Sequence, residues 1–392
     1  MRIGIIGAGP AGTECAAILG EAGIEVLLFD YHGAWEKPCG GGVTYKALHR
    51  YPFLSDCLEA TRQVRQMQVV SPQGRLLTVP LHFPLFIYSR QLLNRILLER
   101  AISKGAQFCQ ERVQSLGTEG PGWRLGTDQS EYRVDFLVGA DGVNSLVRRR
   151  LTQRFAAQDL MMTYGYRLTG EGNNTAIIKF FPNFPGYLWA FPRAQGISYG
   201  ICAKLGRVET PVLKARFHDY LEANGCFLPP TSDPGLKDRA GALYSALLPS
   251  LRPETFRGNR ISGANWALVG DAAGFADPVT GEGIYYALRS GQLLAEVLLA
   301  SRPDFYPAAC QSDFVSNLIC GAEFFEKFYT GDFLGSSFID RMVQFSGRSK
   351  TLRQITNSFV AGQQPYKTLR SALLRRLPKV GGEILRSIVL SS

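Results

Sequence analysis

Apolar residues follow three rhythms along the chain. Residues 2–6 form a short apolar run that meets Gly7-Ala8-Gly9-Pro10-Ala11-Gly12, then a helix-like stretch over 13–22 and a second strand-like run over 25–29. Strand, glycine turn, helix and strand make one βαβ unit. The strand-to-helix pattern returns at 134–148, where an apolar run ends in Gly139-Ala140-Asp141-Gly142, and at 266–289, around Gly270-Asp271. A different rhythm fills residues 156–205, where strand-like runs such as 176–181 and 197–203 alternate with Pro and Gly turns and predict an antiparallel sheet. Beyond residue 301 the spacing turns helical, with Phe314, Phe324, Phe325, Phe328, Tyr329, Phe333, Phe338 and Phe345 often three or four apart. Such a face packs into a core or lines a greasy tunnel. The expected class is α/β: a dinucleotide-binding domain from 1–155 and 256–300, a sheet domain over 156–255 with a minor contribution from near 62–85, and a helical region over 301–392.

Length and charge sharpen this outline. The 392 residues suffice for two or three domains at roughly 100 to 200 each. No stretch reaches the roughly 18 to 20 uninterrupted apolar residues of a membrane span. The 43 basic and 33 acidic residues leave a net charge of +10. Residues 341–392 hold ten Lys or Arg against Glu383 alone, so this tail carries +9 and the rest is nearly neutral. That distribution argues against a nucleic-acid-binding body and for a tail that meets an anionic membrane surface peripherally. Within it Leu369, Leu373 and Leu377 recur every four residues, Pro378 and Gly381-Gly382 are expected to break the helix, and Ile384, Leu385, Ile388 and Val389 form a second apolar patch. Eight cysteines show no Cys-x-x-Cys pair and the four histidines no ligand spacing, so no metal site is expected. No secretory signal is evident, and a cytoplasmic location is expected.

The first glycine turn has a specific physical logic. Gly7 permits the tight turn, Gly9 lets backbone approach a pyrophosphate, and Gly12 lets helix and strand pack closely, with Ala11 between them at the helix start. The helix N-terminus then faces the phosphates, and Asp30 at the end of the second strand is placed to accept ribose hydroxyls. FAD and NAD share this unit. The two later strand-to-helix turns bear on the choice, because three such turns converge on one ligand.

Together the glycine motif, the Asp141-Gly142 segment and the Gly270-Asp271 segment resemble the single-Rossmann FAD oxidoreductases, the glutathione reductase and hydroxybenzoate hydroxylase-like fold. The resemblance implies that Asp271 binds the ribityl chain of FAD, that the 278–283 loop, with Gly281 and Gly283, lies against the isoalloxazine ring, and that Arg90 opens a helix near the cofactor. Two further elements narrow the family. Lys37-Pro38-Cys39-Gly40-Gly41-Gly42-Val43 and Tyr187-Leu188-Trp189-Ala190-Phe191-Pro192 are similar to the Pro-Cys-Gly-Gly-Gly and Tyr-x-Trp-x-Phe-Pro elements of geranylgeranyl reductases. The family pattern continues to Gly-x-Gly. Here it reads Gly200-Ile201-Cys202.

That family reduces isolated double bonds in long isoprenoid chains of lipids, quinones or pigment precursors. The implied enzyme takes electrons from NADPH or a reduced carrier, such as an electron-donor protein, that visits transiently, because only one dinucleotide fingerprint is present. Alkene reduction needs a hydride at one carbon and a proton at the other. Cys39 is a fitting proton donor, since a thiol is protonated at neutral pH and still able to give the proton up. Gly40 and Gly41 beside it let backbone approach without side-chain obstruction. Tyr187, Trp189 and Phe191 alternate, so they share one strand face suited to an isoprenoid, with Pro192 ending the strand. The alternatives are a flavin monooxygenase or halogenase on the same fold, although a halogenase Trp-x-Trp-x-Ile-Pro element is absent, and a non-catalytic isoprenoid carrier.

Overall fold

The computed structural model describes residues 1–170, 174–226 and 243–389, with backbone only at 388 and 389. The chain divides into two units, the first made of Met1–Lys37, Arg90–Leu160 and Leu248–Ala322, the second of Pro38–Ser89, Met161–Leu247 and Glu323–Ser392.

In the first unit the predicted apolar runs become a six-stranded sheet. Its order is Ser262–Gly263, Trp266–Leu268, Phe136–Gly139, Arg2–Ile6, Glu25–Phe29 and Gln107–Cys109. All pairings are parallel except at the Ser262–Gly263 edge. Ile3, Ile5, Val26, Leu27, Leu28 and Phe29 are buried, as a parallel sheet covered on both faces requires. Helices Pro10–Glu21, Arg90–Ser103 and Ile284–Leu299 pack together, and the first crosses the third so closely that a Cβ on Gly291 would lie 2.2 Å from the Ala11 carbonyl oxygen. A three-stranded antiparallel sheet, Val113–Glu119, Gly122–Thr127 and Glu131–Val134, had not been expected; its Leu125 and Val134 press on Gly4.

The second unit holds an eight-stranded sheet in the order Leu243–Pro249, Leu160–Leu168, Gly196–Lys204, Gly186–Arg193, Thr175–Lys179, Arg62–Val70, Leu76–Ile87 and Gly42–Val43. From Leu160–Leu168 to Gly42–Val43 it is antiparallel apart from Thr175–Lys179, which runs parallel to Arg62–Val70. One face carries Leu188, Ala190, Tyr199, Ile201 and Ala203 against Leu213, Phe217 and Leu221 of helix Thr210–Ala223.

Three expectations are corrected here. All of 38–89, not only the stretch near 62–85, groups with the sheet domain, because the two long strands there are interior members of its sheet. The helical region is divided as well: residues 301–322 group with the first unit and 323–392 with the second. Pro192 does not end its strand, which runs to Arg193; Pro192 pairs with Ile197 on one side and lies beyond the 188–190 stretch paired to Thr175–Lys179, so its missing N–H breaks no ladder there.

Of the eight aromatic residues singled out beyond 301, Phe314, Phe325, Phe328 and Tyr329 are buried. Phe314 packs on Phe275 and Tyr286 in the first unit, and Phe328 packs on Phe180 in the second; Phe333 is exposed. Helices Phe338–Arg348 and Lys350–Val360 start at Ser337 and Ser349, whose hydroxyls accept the amides of Asp340 and Leu352. The last helix, Tyr366–Val389, runs unbroken through Pro378 and Gly381-Gly382 against expectation. An interior proline costs a helix about 3 kcal/mol. The turn after it is held in place by Glu383, which accepts hydrogen bonds from Ser349 Oγ at 2.6 Å, Thr351 N at 3.0 Å and Thr351 Oγ1 at 2.8 Å. Among the described residues no helix is long and apolar enough to cross a membrane.

Candidate functional site

In the first unit the three glycine turns come together, and the glycines differ in why they are needed. Gly7 sits at φ +107°, and a Cβ there would lie 2.3 Å from the Ala140 carbonyl oxygen. A Cβ on Gly12 would lie 2.0 Å from the Gly7 carbonyl oxygen. Both are demanded by the fold. Gly9 is not: its φ is −75°, and a Cβ would meet nothing within 4 Å. The space it keeps clear is therefore outside the chain, where the free amides of a helix start are directed. Pro10 takes the first helical position, which needs no amide hydrogen, and Ala11 follows it, buried.

Asp30 ties this loop to the second strand. Its Oδ2 accepts the Ala8 amide at 2.9 Å and its Oδ1 the His32 amide at 2.8 Å. Asp141 plays a similar part at the next turn, where Oδ2 accepts the amides of Leu146 and Val147 at 2.6 and 3.3 Å. Its Oδ1 is buried without a hydrogen-bond partner, and burial pushes the carboxyl above the usual aspartate range. At the third turn Gly270 has φ +57°, donates its amide to Ser290 Oγ at 2.9 Å and would press a Cβ to 3.0 Å from that of Ala11. Asp271 Oδ2 accepts from Lys37 Nζ at 3.1 Å, and its other oxygen lies 3.4 Å from where a Cβ on Gly283 would be. Gly281, at φ +72°, closes a turn whose amides at Val279 and Thr280 are held by Asp277, and Gly283 caps helix Ile284–Leu299.

Arg90 is buried, at 4% exposure, with Nη2 on Asn94 Oδ1 at 3.3 Å and Nε without a partner. Asn94 in turn donates to the Trp35 carbonyl. Glu36 accepts the amides of Arg90 and Gln91, capping that helix. Consecutive residues thus serve two turns, Glu36 the Arg90 helix and Lys37 the Asp271 loop. Glu36 and Asn94 escaped sequence reasoning, and Lys37 was noted only within its motif; their partners lie 54 to 234 residues away or carry no fixed spacing.

These features fit FAD. A glycine turn whose Gly9 leaves its backbone uncovered, a helix start opening on clear space, a buried guanidinium with a spare donor and an orphaned carboxylate oxygen are what a bound phosphate-and-polyol cofactor would complete.

The second unit brings the other two predicted elements together. Gly41, at φ +79°, donates its amide to Cys39 Sγ at 3.3 Å, and a Cβ there would lie 2.1 Å from the Tyr88 carbonyl oxygen. Gly40 faces the aromatic strand: a Cβ would meet Phe191 at 2.9 Å and Trp189 Nε1 at 3.1 Å. Tyr187, Trp189 and Phe191 do share the sheet face opposite the helix-covered core, which takes Leu188 and Ala190 instead. Trp189 is 6% exposed, and its Nε1–H has no partner. Its ring lies over Gly200, where a Cβ would come within 2.1 Å. Cys202, the departure from the family pattern, stands opposite Tyr187, and burial pushes its thiol up to about 12, so it is an inert filler.

No protein-family model matches the chain. An uncharacterised protein of Methanosarcina barkeri is 30% identical over 351 residues, spanning 84% of this chain and 83% of its own length. A geranylgeranyl diphosphate reductase of Synechocystis is 27% identical over 337 residues, with 77% and 76% covered. Among solved structures, a geranylgeranyl bacteriochlorophyll reductase-like protein of Thermoplasma acidophilum superposes with a TM-score of 0.73 at 19% identity over 98% of both chains. The flavin-dependent brominase Bmp2, as a triple mutant, reaches 0.70 at 18% over 95% and 98%, and both structural likenesses speak to the fold alone. With the Cys39 loop and the aromatic strand both in place beside these kinships, the chain is an oxidoreductase and belongs to the geranylgeranyl reductase family of FAD-dependent enzymes.

Proposed function

We propose that the protein saturates isolated carbon–carbon double bonds in a polyprenyl chain, with FAD held in the first unit and re-reduced by NADPH or a reduced electron carrier that visits transiently. The observation that carries this reading is the packing of Gly40, the residue after Cys39, on Trp189 and Phe191 within one unit. FAD, when bound and reduced, supplies the hydride. The glycine turn at 7–12 and Arg90 receive its charged and polar parts, Asp30 its ribose, and Asp271 with Lys37 its ribityl chain. Cys39 Sγ gives the proton to the second alkene carbon, and the Gly41 amide, already directed at that sulfur, meets the negative charge left behind. The Cys39 thiolate is then reprotonated from water. Tyr187, Trp189 and Phe191 hold the hydrocarbon. A long prenyl chain partitions into lipid at about 0.8 kcal/mol per CH₂, so such an enzyme works peripherally at a membrane from the cytoplasmic side.

The test is mass spectrometry of lipids from cells expressing the chain. Products gain two hydrogens per bond reduced, and Cys39→Ala keeps its FAD while losing about 100-fold or more of this activity. Products that gain oxygen or halogen instead would overturn the reading, and unchanged turnover of the variant would remove Cys39 from the chemistry.

A further inference from the structure

The faces of helix Tyr366–Val389 have different fates. Tyr366 and Val380 are buried, Leu369, Leu373 and Ile384 are half-buried, and Glu383 is taken up by Ser349 and Thr351. Of the recurring Leu369, Leu373 and Leu377, only Leu377 is exposed. The leucines left outward are Leu374, Leu377 and Leu385, at 58%, 60% and 66% exposure. At 100° per residue these three fall within about 80° of helix arc. Lys367 and Arg370 lie in that sector a turn or two earlier, while Arg375, Arg386 and Lys379 form a row of exposed cations about 80 to 120° beyond one edge of it. With Arg376, all six cations are exposed. The Ile388 and Val389 side chains lie outside the described residues.

A leucine stripe with Lys367 and Arg370 in its own sector and a row of cations along one flank of the helix, the helix's single acid being engaged elsewhere, is complementary to a surface that is apolar beneath and anionic above. We infer that this face docks on the anionic lipid surface of a bilayer, the leucines entering the acyl boundary and the cations meeting the headgroups. A second copy of the helix would bring like charges together, and a nucleic acid would leave the leucines in water. The assignment rests on the peripheral reading above and names the face that carries it.

The full chain, loaded with FAD, is sedimented with phosphatidylcholine vesicles and with vesicles containing phosphatidylglycerol. Two variants accompany it: one with Leu374→Ser, Leu377→Ser and Leu385→Ser, the other with Arg375→Gln, Lys379→Gln and Arg386→Gln. Each should keep its flavin and melting temperature, since the replaced side chains are exposed. Expected are binding to the anionic vesicles that weakens with salt, and a loss of about tenfold or more in either variant. No binding by the full chain overturns the peripheral reading itself. Binding that both variants retain overturns the face while leaving that reading standing. Self-association lost in the leucine variant, with vesicle binding unchanged, assigns the stripe to a second copy.

Discussion

At the scale of single residues, the three glycines of the first turn separate what folding needs from what a ligand needs. Gly7 and Gly12 are fixed by backbone within 2.3 Å of where their side chains would start, and Gly7 also by its positive φ. Replacing Gly7 with Ala would cost roughly 1–3 kcal/mol from backbone strain even before the overlap with the Ala140 carbonyl is relieved. Gly9 has neither constraint. Gly9→Ala should lose at most about 1 kcal/mol of helix capping, so the apo protein should melt close to the parent, yet its FAD affinity should fall about tenfold or more because the methyl enters the space the backbone leaves clear. Flavin titration and melting of the two apo proteins give both numbers. Unchanged FAD affinity in Gly9→Ala would mean that the pyrophosphate does not approach there.

At the scale of elements, legibility follows how local the cause is. The βαβ unit was readable because its strand, glycine turn, helix and second strand follow one another within residues 2–29, and the alternating Tyr187, Trp189 and Phe191 because a strand's period is two. The parallel pairing of Thr175–Lys179 with Arg62–Val70 left no such trace, since it joins segments more than a hundred residues apart. The small sheet over 113–134 was hidden by short strands rich in Gly and charge. The last helix was misread at Pro378 because a local penalty was outweighed by a distant anchor, Glu383. That anchor makes a testable prediction. Hydrogen bonds from Ser349 and from the Thr351 amide and hydroxyl draw the Glu383 carboxyl from the ordinary 4.5 down to about 2. A depressed carboxylate contributes stability that is present above its unfolded value and is lost as pH falls through its folded value. The Thr351 amide should therefore exchange slowly with solvent at neutral pH and lose protection as pH drops from about 4.5 towards 2. Glu383→Gln should be less protected at neutral pH and nearly flat across that window. Equal pH profiles in the two proteins would detach the anchor from the helix.

At the scale of the whole molecule, the choice lies between chemistries that one fold supports, since a brominase and a reductase-like protein superpose on this chain almost equally well. Fold therefore cannot decide, and the site must. What distinguishes the reactions is their demand for oxygen. A monooxygenase or halogenase spends its reduced flavin on O₂, whereas saturating an alkene needs only a hydride and a proton. On the proposed reading the Cys39 loop, whose Gly40 packs on Trp189 and Phe191, would offer a proton donor to a hydrocarbon. The purified holoprotein, reduced by NADPH or dithionite in a sealed anaerobic cell and given a geranylgeranyl lipid, should form product with two hydrogens added per bond. Its yield should match the flavin equivalents reduced. Admitting oxygen should lower that yield, because O₂ competes for the same electrons. A product that appears only after oxygen is admitted would place the chain with the oxygen-using members of the fold, and Cys39 would then be a packing residue beside Trp189 and Phe191.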